Sequence, residues 1–439
     1  MPAERNLISH QRVLKIALPV VLANITLPIL GAVDTAVVGQ LGAAAPIGAV
    51  AIGAIVLGAS YWLFGFLRMG TVGLASQAMG AGERREVAAL LTRVLTIGGL
   101  GGLFFVVFQE PLFWLAFQLS PASADVETMA IGYMTIRIHS APAAIAMFGI
   151  TGWLVARERT RAVLAIQLWM NGLNIILDLW FVLGLGWSVN GVAWATFVAE
   201  WSGLALALWF CRGNFRDDCW RDWQLVFDRA RLIRMWSINR DILIRSLLLE
   251  IILVSFIFFG ATFGDVTLAA NQVLLQFLMI TSHGLDGFAF AAEALVGQAY
   301  GARSRAGIRQ GAWRASLWGG VTALALALGF AALGGLMIDI MTTAPDVRAE
   351  TRLYLPYVVL APLLAVFPFI LDGIFVGATR SRDMRNMMFL SLLAYGVVLA
   401  VAVPLLGVHG LWIALLVSFL ARGLTLGLRY PALEVSIAD

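Results

Sequence analysis

The chain has 439 residues, 60% of them hydrophobic and 13% charged, and its mean hydropathy is +0.87. No soluble fold of that length buries so much apolar side chain, so the composition excludes a soluble enzyme or nucleic-acid-binding module and requires a polytopic membrane protein. The formal net charge is only +4, so where the basic residues fall carries more information than their sum.

In chain order, the N-terminus is polar to about Gln11, and the apolar run that follows is too long for the core of a cleavable signal peptide. Twelve spans are expected, at residues 13–38, 47–75, 90–112, 129–155, 163–185 and 191–209, then at 242–263, 268–297, 312–337, 353–377, 388–406 and 411–427. Each approaches or exceeds the ~20 apolar residues that cross ~30 Å of hydrocarbon. The expected organisation is an all-α N-lobe over 1–211, a polar, Trp-rich linker over 212–241 and an all-α C-lobe over 242–439. Cys211 and Cys219 fall at or in this basic linker, which is placed in the cytosol, so no disulfide is expected. His10, His139, His283 and His409 are scattered, with no metal-ligand spacing.

The basic residues choose the orientation. Arg5, Arg12 and Lys15 precede or open span 1; Arg84 and Arg85 lie between spans 2 and 3; Arg157, Arg159 and Arg161 lie between spans 4 and 5. The linker carries Arg212, Arg216, Arg221, Arg229, Arg231, Arg234 and Arg240, and further clusters follow spans 8 and 10. The alternate loops 41–46, 110–128, 186–190, 264–266 and 408–410 hold no Lys or Arg, the exception being Arg348 and Arg352 before span 10. Both termini are therefore expected in the cytoplasm of a cell whose plasma (inner) membrane holds the protein.

The chain also repeats itself. Gln77-Ala-Met-Gly80-Ala81 returns as Gln298-Ala-Tyr-Gly301-Ala302, and the same register carries Arg93 to Arg314, Gly98 to Gly319, Tyr133 to Tyr354, Gly152 to Gly373 and Arg159 to Arg380. Six spans per copy make the two lobes parallel repeats, an arrangement that places substrate between lobes.

The most expensive residues mark the candidate site. Asn171, Asn174 and Asp178 share one face of span 5, and a carboxylate at that depth is unfavourable by roughly 2.5–3.5 kcal/mol. Counting back from the turn near Trp187 puts Asp178 and Thr196 at one level, about 13 Å down, and Asp34 of span 1 at a similar one. Asp34, Asn174, Asp178 and Thr196 form an all-oxygen set, suited to a hard cation such as Na+ or to a proton shared between two buried acids. The alternative is that each acid pairs with Arg68 or Arg137, with Asn171 and Thr196 as interhelical hydrogen-bond glue. In the C-lobe, Glu250, Asp286, Glu293 and Asp372 are candidates for a second ion or substrate site; their alternative is structural pairing with Arg245 or another basic group. Pro19 and Pro28 interrupt span 1, as a moving part or as static kinks.

Most of the 15 Trp and 26 Phe are assigned to interfacial belts and lipid-facing packing, some to an adaptable cavity for flat cations. Trp220, Trp223 and Trp236, set among arginines, read as an interfacial segment on an anionic leaflet.

Twelve spans in two parallel lobes, Asp34 in span 1 and Asn174-x3-Asp178 in span 5 resemble the multidrug and toxic compound extrusion (MATE) family. Within it, Asn239-Arg-Asp-Ile-Leu-Ile-Arg245, Leu285-Asp-Gly-Phe-Ala-Phe-Ala-Ala-Glu-Ala294, Gly297-Gln-Ala-Tyr-Gly-Ala302 and Leu371-Asp-Gly-Ile-Phe-Val-Gly-Ala-Thr-Arg380 are similar to its DinF (DNA-damage-inducible) branch. The resemblance covers essentially the whole chain. It implies V-shaped lobes opening alternately, a span 1 that bends at Pro19, and efflux of organic cations driven by H+ or Na+. It also implies that Asp34, Asn174, Asp178 and Thr196 match an N-lobe cation site, and that Glu250 and Asp372 match the acids other members use.

The expected function is thus a cation-coupled efflux antiporter for cationic or amphipathic drugs. It works as a monomer in the lipid bilayer, uses H+ rather than Na+, and has no cofactor, resident metal or nucleic-acid partner. A second reading keeps the fold and moves a lipid-linked or amphipathic anion, for which a cavity rich in unpaired arginine is the signature. An embedded enzyme is not supported: the spans contain no H-E-x-x-H, no G-x-S-x-G and no paired Cys and His.

Overall fold

The computed structural model describes residues 8–119, 123–216 and 218–437. Arg5, counted in the charge bias, lies outside them, as do residues 120–122 of the loop 110–128 and residue 217 of the linker. Among the described residues, twelve helices are long and apolar enough to cross a membrane. They are span 1 His10–Gly39, span 2 Ala44–Gly80, span 3 Arg84–Val107, span 4 Ala124–Ala156, span 5 Thr160–Gly184 and span 6 Ser188–Phe215. Then come span 7 Trp223–Ala261, span 8 Asp265–Gly301, span 9 Arg305–Met341, span 10 Pro345–Gly377, span 11 Ser381–Leu406 and span 12 Val408–Val435. Every one overlaps one expected span, in order. A helix satisfies its own backbone in lipid, which is why hydropathy is sufficient to count them.

The start of span 7 differs from expectation. The chain is already continuously helical from Arg229, well before residue 242. Met235, Ile238 and Ile242 recur at helical spacing and are buried, while arginines cover the other faces. The remainder of the linker is short turns. Asp222 caps the single turn Trp223–Val226 by accepting from the Leu225 N–H. Span 3 holds this segment in place: Thr92 donates to the Trp220 carbonyl at 2.6 Å and buried Arg93 to the Val226 carbonyl at 2.7 Å. The two basic residues that break the charge alternation also have a local use. Arg348 donates to the carbonyls of Asp339 and Thr342, which end span 9, and Arg352 pairs with the Asp339 side chain at 2.6 Å.

The chain divides into two compact units. One comprises the residues up to Val21, Ser76–Gly82 and everything from Ile233; the other comprises Leu22–Ala75 and Glu83–Leu232. Span 1 therefore contributes its first half to one unit and its second half to the other. In the first half Val13, Ile16, Ala17 and Val20 are buried, and Gly287 of span 8 makes room for Ala17 and Val21. In the second half most side chains are exposed or half-buried.

The internal repeat is visible in contacts as well as in letters. A Cβ on Gly152 would meet the Arg68 carbonyl oxygen at 2.3 Å, and one on Gly373 would meet the Ala289 carbonyl oxygen at 2.4 Å. Both residues of that pair are displaced by the same register, so span 4 packs on span 2 as span 10 packs on span 8. Gly98 and Gly319 face packed neighbours, whereas Gly99 and Gly320 face open space. Within the first unit the two copies of the Gln-x-x-Gly motif cross. A Cβ on Gly80 would lie 1.9 Å from the Gln298 carbonyl oxygen, and one on Gly301 would lie 2.0 Å from that of Gln77. Each glutamine accepts from an arginine, Arg12 onto Gln298 at 2.7 Å and Arg234 onto Gln77 at 2.9 Å. Gly80→Ala is expected to lower stability by ~1–3 kcal/mol, because the obstructing atom is backbone and the helices must separate. Gly99→Ala is expected to be silent. Thermal melting of the two purified variants checks this; equal melting temperatures would show that the crossing can relax.

Candidate functional site

Span 5 is patterned inside out relative to a soluble helix. Its polar residues Asn171, Asn174 and Asp178 are buried, while Ile176, Leu179 and Trp180 are exposed. The α-helix ends at Asp178, and the next turn, Leu179–Gly184, is wound as a π-helix. Such widened turns cluster at functional positions because they re-aim a side chain without ending the helix.

The four N-lobe candidates meet at this point. Asn174 is 1% exposed and Asp178 fully buried. The Asn174 amide lies between the two acids and Thr196, and its orientation follows from those neighbours. Its nitrogen faces the carboxylates, because the reverse would aim a carbonyl oxygen at both. The Asn174 Nδ2 then donates to Asp178 Oδ2 at 3.0 Å and to Asp34 Oδ1 at 3.2 Å, and its Oδ1 accepts from the Thr196 hydroxyl at 3.0 Å and the Thr196 N–H at 3.1 Å. The Asp34 and Asp178 carboxyls are within hydrogen-bonding reach of one another. Asp178 Oδ1 receives no donor from any described protein group. Two carboxyl groups facing each other with an acceptor left over make a slot that a proton or a small cation completes.

Asn171 has a different part. It donates to the Thr26 hydroxyl of span 1 at 2.7 Å and accepts from Gln167 at 3.0 Å. The second half of span 1 is thus tied to span 5 by this bond and by the acids.

Neither acid is consumed by a structural ion pair with Arg137. That residue is paired instead with Glu200 at 2.8 Å, both largely buried. Its carbonyl, at the break where span 4 passes into the 3₁₀ turn Ile138–Ser140, accepts from Ser140 at 2.7 Å and Tyr61 at 3.3 Å. The Arg137 charge acts on Asp34 and Asp178 through space. The sequence reading missed Arg137 and Glu200 as a pair, although a signal existed: Glu200 is one helical turn from Thr196 and on the same face.

The C-lobe acids are placed differently. Asp372 is buried and accepts from two guanidiniums, Arg245 of span 7 and Arg422 of span 12, both buried as well. This is the pairing with Arg245 named above as the alternative for these acids, with Arg422 added. Arg422 also lies over the Phe369 ring at 5.9 Å. Glu293 is buried, Asp286 half-buried, and Glu250 exposed with no ion pair among the described residues. Pro19 is buried in a continuous helix and, lacking an N–H, releases the Lys15 carbonyl from the helical ladder.

The sequence profile of the family described as MatE matches residues 19–180 and 242–402. The chain is 36% identical to DNA damage-inducible protein F of Escherichia coli over 94% of this chain and 90% of that one. It is 27% identical to a probable multidrug resistance protein NorM of Caulobacter vibrioides, over 96% and 91%. Among solved structures, the Vibrio cholerae MATE transporter VcmN in its bent form superposes with a TM-score of 0.86 at 21% identity, over 98% and 97% of the two chains. A MOP superfamily transporter from Pyrococcus furiosus superposes with a TM-score of 0.87 at 17% identity, again over 98% and 97%. At those identities the superpositions establish the fold alone.

Proposed function

This chain belongs to the MatE family of multidrug and toxic compound extrusion transporters, and on that premise we propose that it exports cationic and amphipathic small molecules in exchange for inward-moving H+. It is an integral membrane transporter rather than an enzyme. We place it in the inner membrane with both termini cytoplasmic, acting as a monomer that alternates between inward- and outward-open arrangements.

The observation that carries the coupling assignment is the Asp34–Asn174–Asp178–Thr196 network, with Asn174 and Asp178 buried and Asp34 and Thr196 half-buried. It favours H+ over Na+ because of what fills its centre. The Asn174 nitrogen, a donor, bridges both carboxylates, so the site presents a hydrogen-bonded acid pair and not an oxygen cage. A sodium ion at that point would require the amide to turn, which keeps a bond to the Thr196 hydroxyl, now as acceptor, but gives up the one from the Thr196 N–H. Protonation neutralises the pair and alters its hold on the second half of span 1, the most sparsely packed part of that helix. A bound ion shifts the transporter only by its differential affinity for the two arrangements, and a pair with one partner on span 1 and one on span 5 has such a difference whenever span 1 moves.

The buried arginines argue for cationic cargo. Four of the arginines set into the spans, Arg93, Arg137, Arg245 and Arg422, each pair with an acid, which is not the pattern of an anion cavity. The deciding experiment is efflux from proteoliposomes with Na+ and pH gradients imposed separately. Export driven by a pH gradient alone is expected; export that needs sodium overturns the assignment. Thr196→Val removes the hydroxyl that anchors the amide oxygen, a bond of ~1 kcal/mol, and is expected to slow pH-driven export about fivefold without abolishing it. Initial rates of dye efflux read this directly.

A further inference from the structure

At the far ends of spans 4, 5 and 6 from the acid pair, the second unit holds a cavity of about 300 Å³ lined by Arg159, Trp209, Phe210, Arg212, Gly213 and Arg216. Arg159 comes from the turn between spans 4 and 5; the other five close span 6. Two of the three guanidiniums are held in position. Arg159 donates one N–H to the Phe210 carbonyl at 2.8 Å, and Arg212 lies 4.0 Å from the centre of the Trp209 ring. Just behind them, Arg157 lies over Trp153 at 4.6 Å. Its guanidinium is held below the usual arginine range, first by burial and then by the charge of Arg159.

No described acid lines the cavity, and none of Arg159, Arg212 and Arg216 makes an ion pair with a described residue. Within the same unit Arg85, Arg93, Arg137, Arg221 and Arg231 have carboxylate partners, while Arg84, Arg157, Arg161 and Arg229 have no ion pair with a described residue either; what sets Arg159, Arg212 and Arg216 apart is that they line one cavity. Three like charges gathered around an indentation repel one another unless an anion sits among them. Planar forks are well suited to phosphate oxygens, because each guanidinium can offer two parallel N–H groups. The cavity lies at helix ends, where headgroups are found, and its Trp209 and Phe210 walls suit the start of an acyl chain or glycerol backbone.

We propose that this cavity is a phosphate-binding site, filled by the headgroup of an anionic phospholipid or by free phosphate. It is separate from the transport site and does not depend on the coupling ion assigned above. The test uses the purified full-length transporter, comparing wild type with R159Q/R212Q/R216Q. Unfolding temperature is followed while phosphatidylglycerol–detergent micelles, phosphatidylcholine–detergent micelles or inorganic phosphate is titrated.

Wild type is expected to be stabilised by phosphatidylglycerol at concentrations about 100-fold below those the triple variant needs, at about fivefold per guanidinium removed. Phosphatidylcholine is expected to act equally on both proteins. A wild-type-specific shift with inorganic phosphate at comparable concentration identifies free phosphate as the occupant. Equal titrations of wild type and variant with both anions overturn the proposal. Because Arg159 also bonds the Phe210 carbonyl, R212Q/R216Q serves as the second variant. Both of its altered side chains are exposed, and it is expected to need about 25-fold more lipid by the same arithmetic. The same titration in that folded background, unchanged from wild type, is equally fatal.

Discussion

Asp34→Asn is expected to abolish pH-driven export while leaving the protein folded and in the membrane. The side chain keeps its shape, and its amide oxygen can still accept from the Asn174 Nδ2. What it loses is the ability to change charge. Without that change the pair has no differential affinity to apply to the two arrangements, and a loss of about 100-fold or more in export rate follows. Asp178→Asn is expected to behave alike. The double variant is expected to be no worse than either single one, because groups that share one proton act as a unit and their effects do not add. Drug efflux from energised vesicles, with melting temperature as a folding control, reads all three. Wild-type efflux in Asp34→Asn, or additive losses in the double variant, would refute the assignment.

Asp372→Ala is expected to have a large effect of another kind. In the native protein its carboxylate is the shared counter-ion of Arg245 and Arg422, all three largely buried. Removing it leaves two guanidiniums facing one another away from water. Breaking a buried ion pair from one side destabilises by about 3–5 kcal/mol, because the remaining charge is uncompensated. A fall in melting temperature of roughly 10 °C is expected at ~2–4 °C per kcal/mol. Replacing Asp372 and Arg422 together by leucines, which leaves Arg245 as the single orphan charge, is expected to recover part of that loss. If Asp372→Ala melts like wild type but no longer transports, Asp372 is a coupling residue and its two arginines are incidental. The N-lobe and C-lobe acids thus separate experimentally: one pair is expected to affect transport without stability, the other stability first.

The contrast shows how far residue patterns reach. Asp34, Asn174, Asp178 and Thr196 were legible as a group because three lie on one helix face or its neighbour at countable depth from a single turn. A helix converts sequence distance into depth at ~1.5 Å per residue, so antiparallel neighbours can be aligned on paper. Asp372 and Arg422 are 50 residues apart on spans 10 and 12, and no turn connects them directly, so nothing in the spacing says which basic group an acid will choose. Arg137 and Glu200 illustrate the intermediate case. Each was visible as a polar residue in a span, but only the packing of span 4 against span 6 turned them into partners and left Asp34 and Asp178 without an arginine ion pair among the described residues. The early start of span 7 was obscured for a plainer reason: Arg229–Asp241 is too polar to register as membrane, although its apolar residues recur at helical spacing and arginine is a good helix former.

The amino-acid order alone determined the number and sequence of spans, the duplication and the N-lobe polar cluster. Hydrophobic length and the obligation to satisfy every backbone group inside lipid leave a chain of this composition no alternative to helices. Tertiary packing alone decided which charges neutralise which, that Gly80 and Gly301 sit where two backbones nearly touch, and that Arg159 comes to stand beside Arg212 and Arg216 with no described acid among them. Those outcomes depend on distances of a few ångströms between helices far apart in the chain; over such distances steric energies change sign and electrostatic ones fall steeply, while hydropathy does not register them.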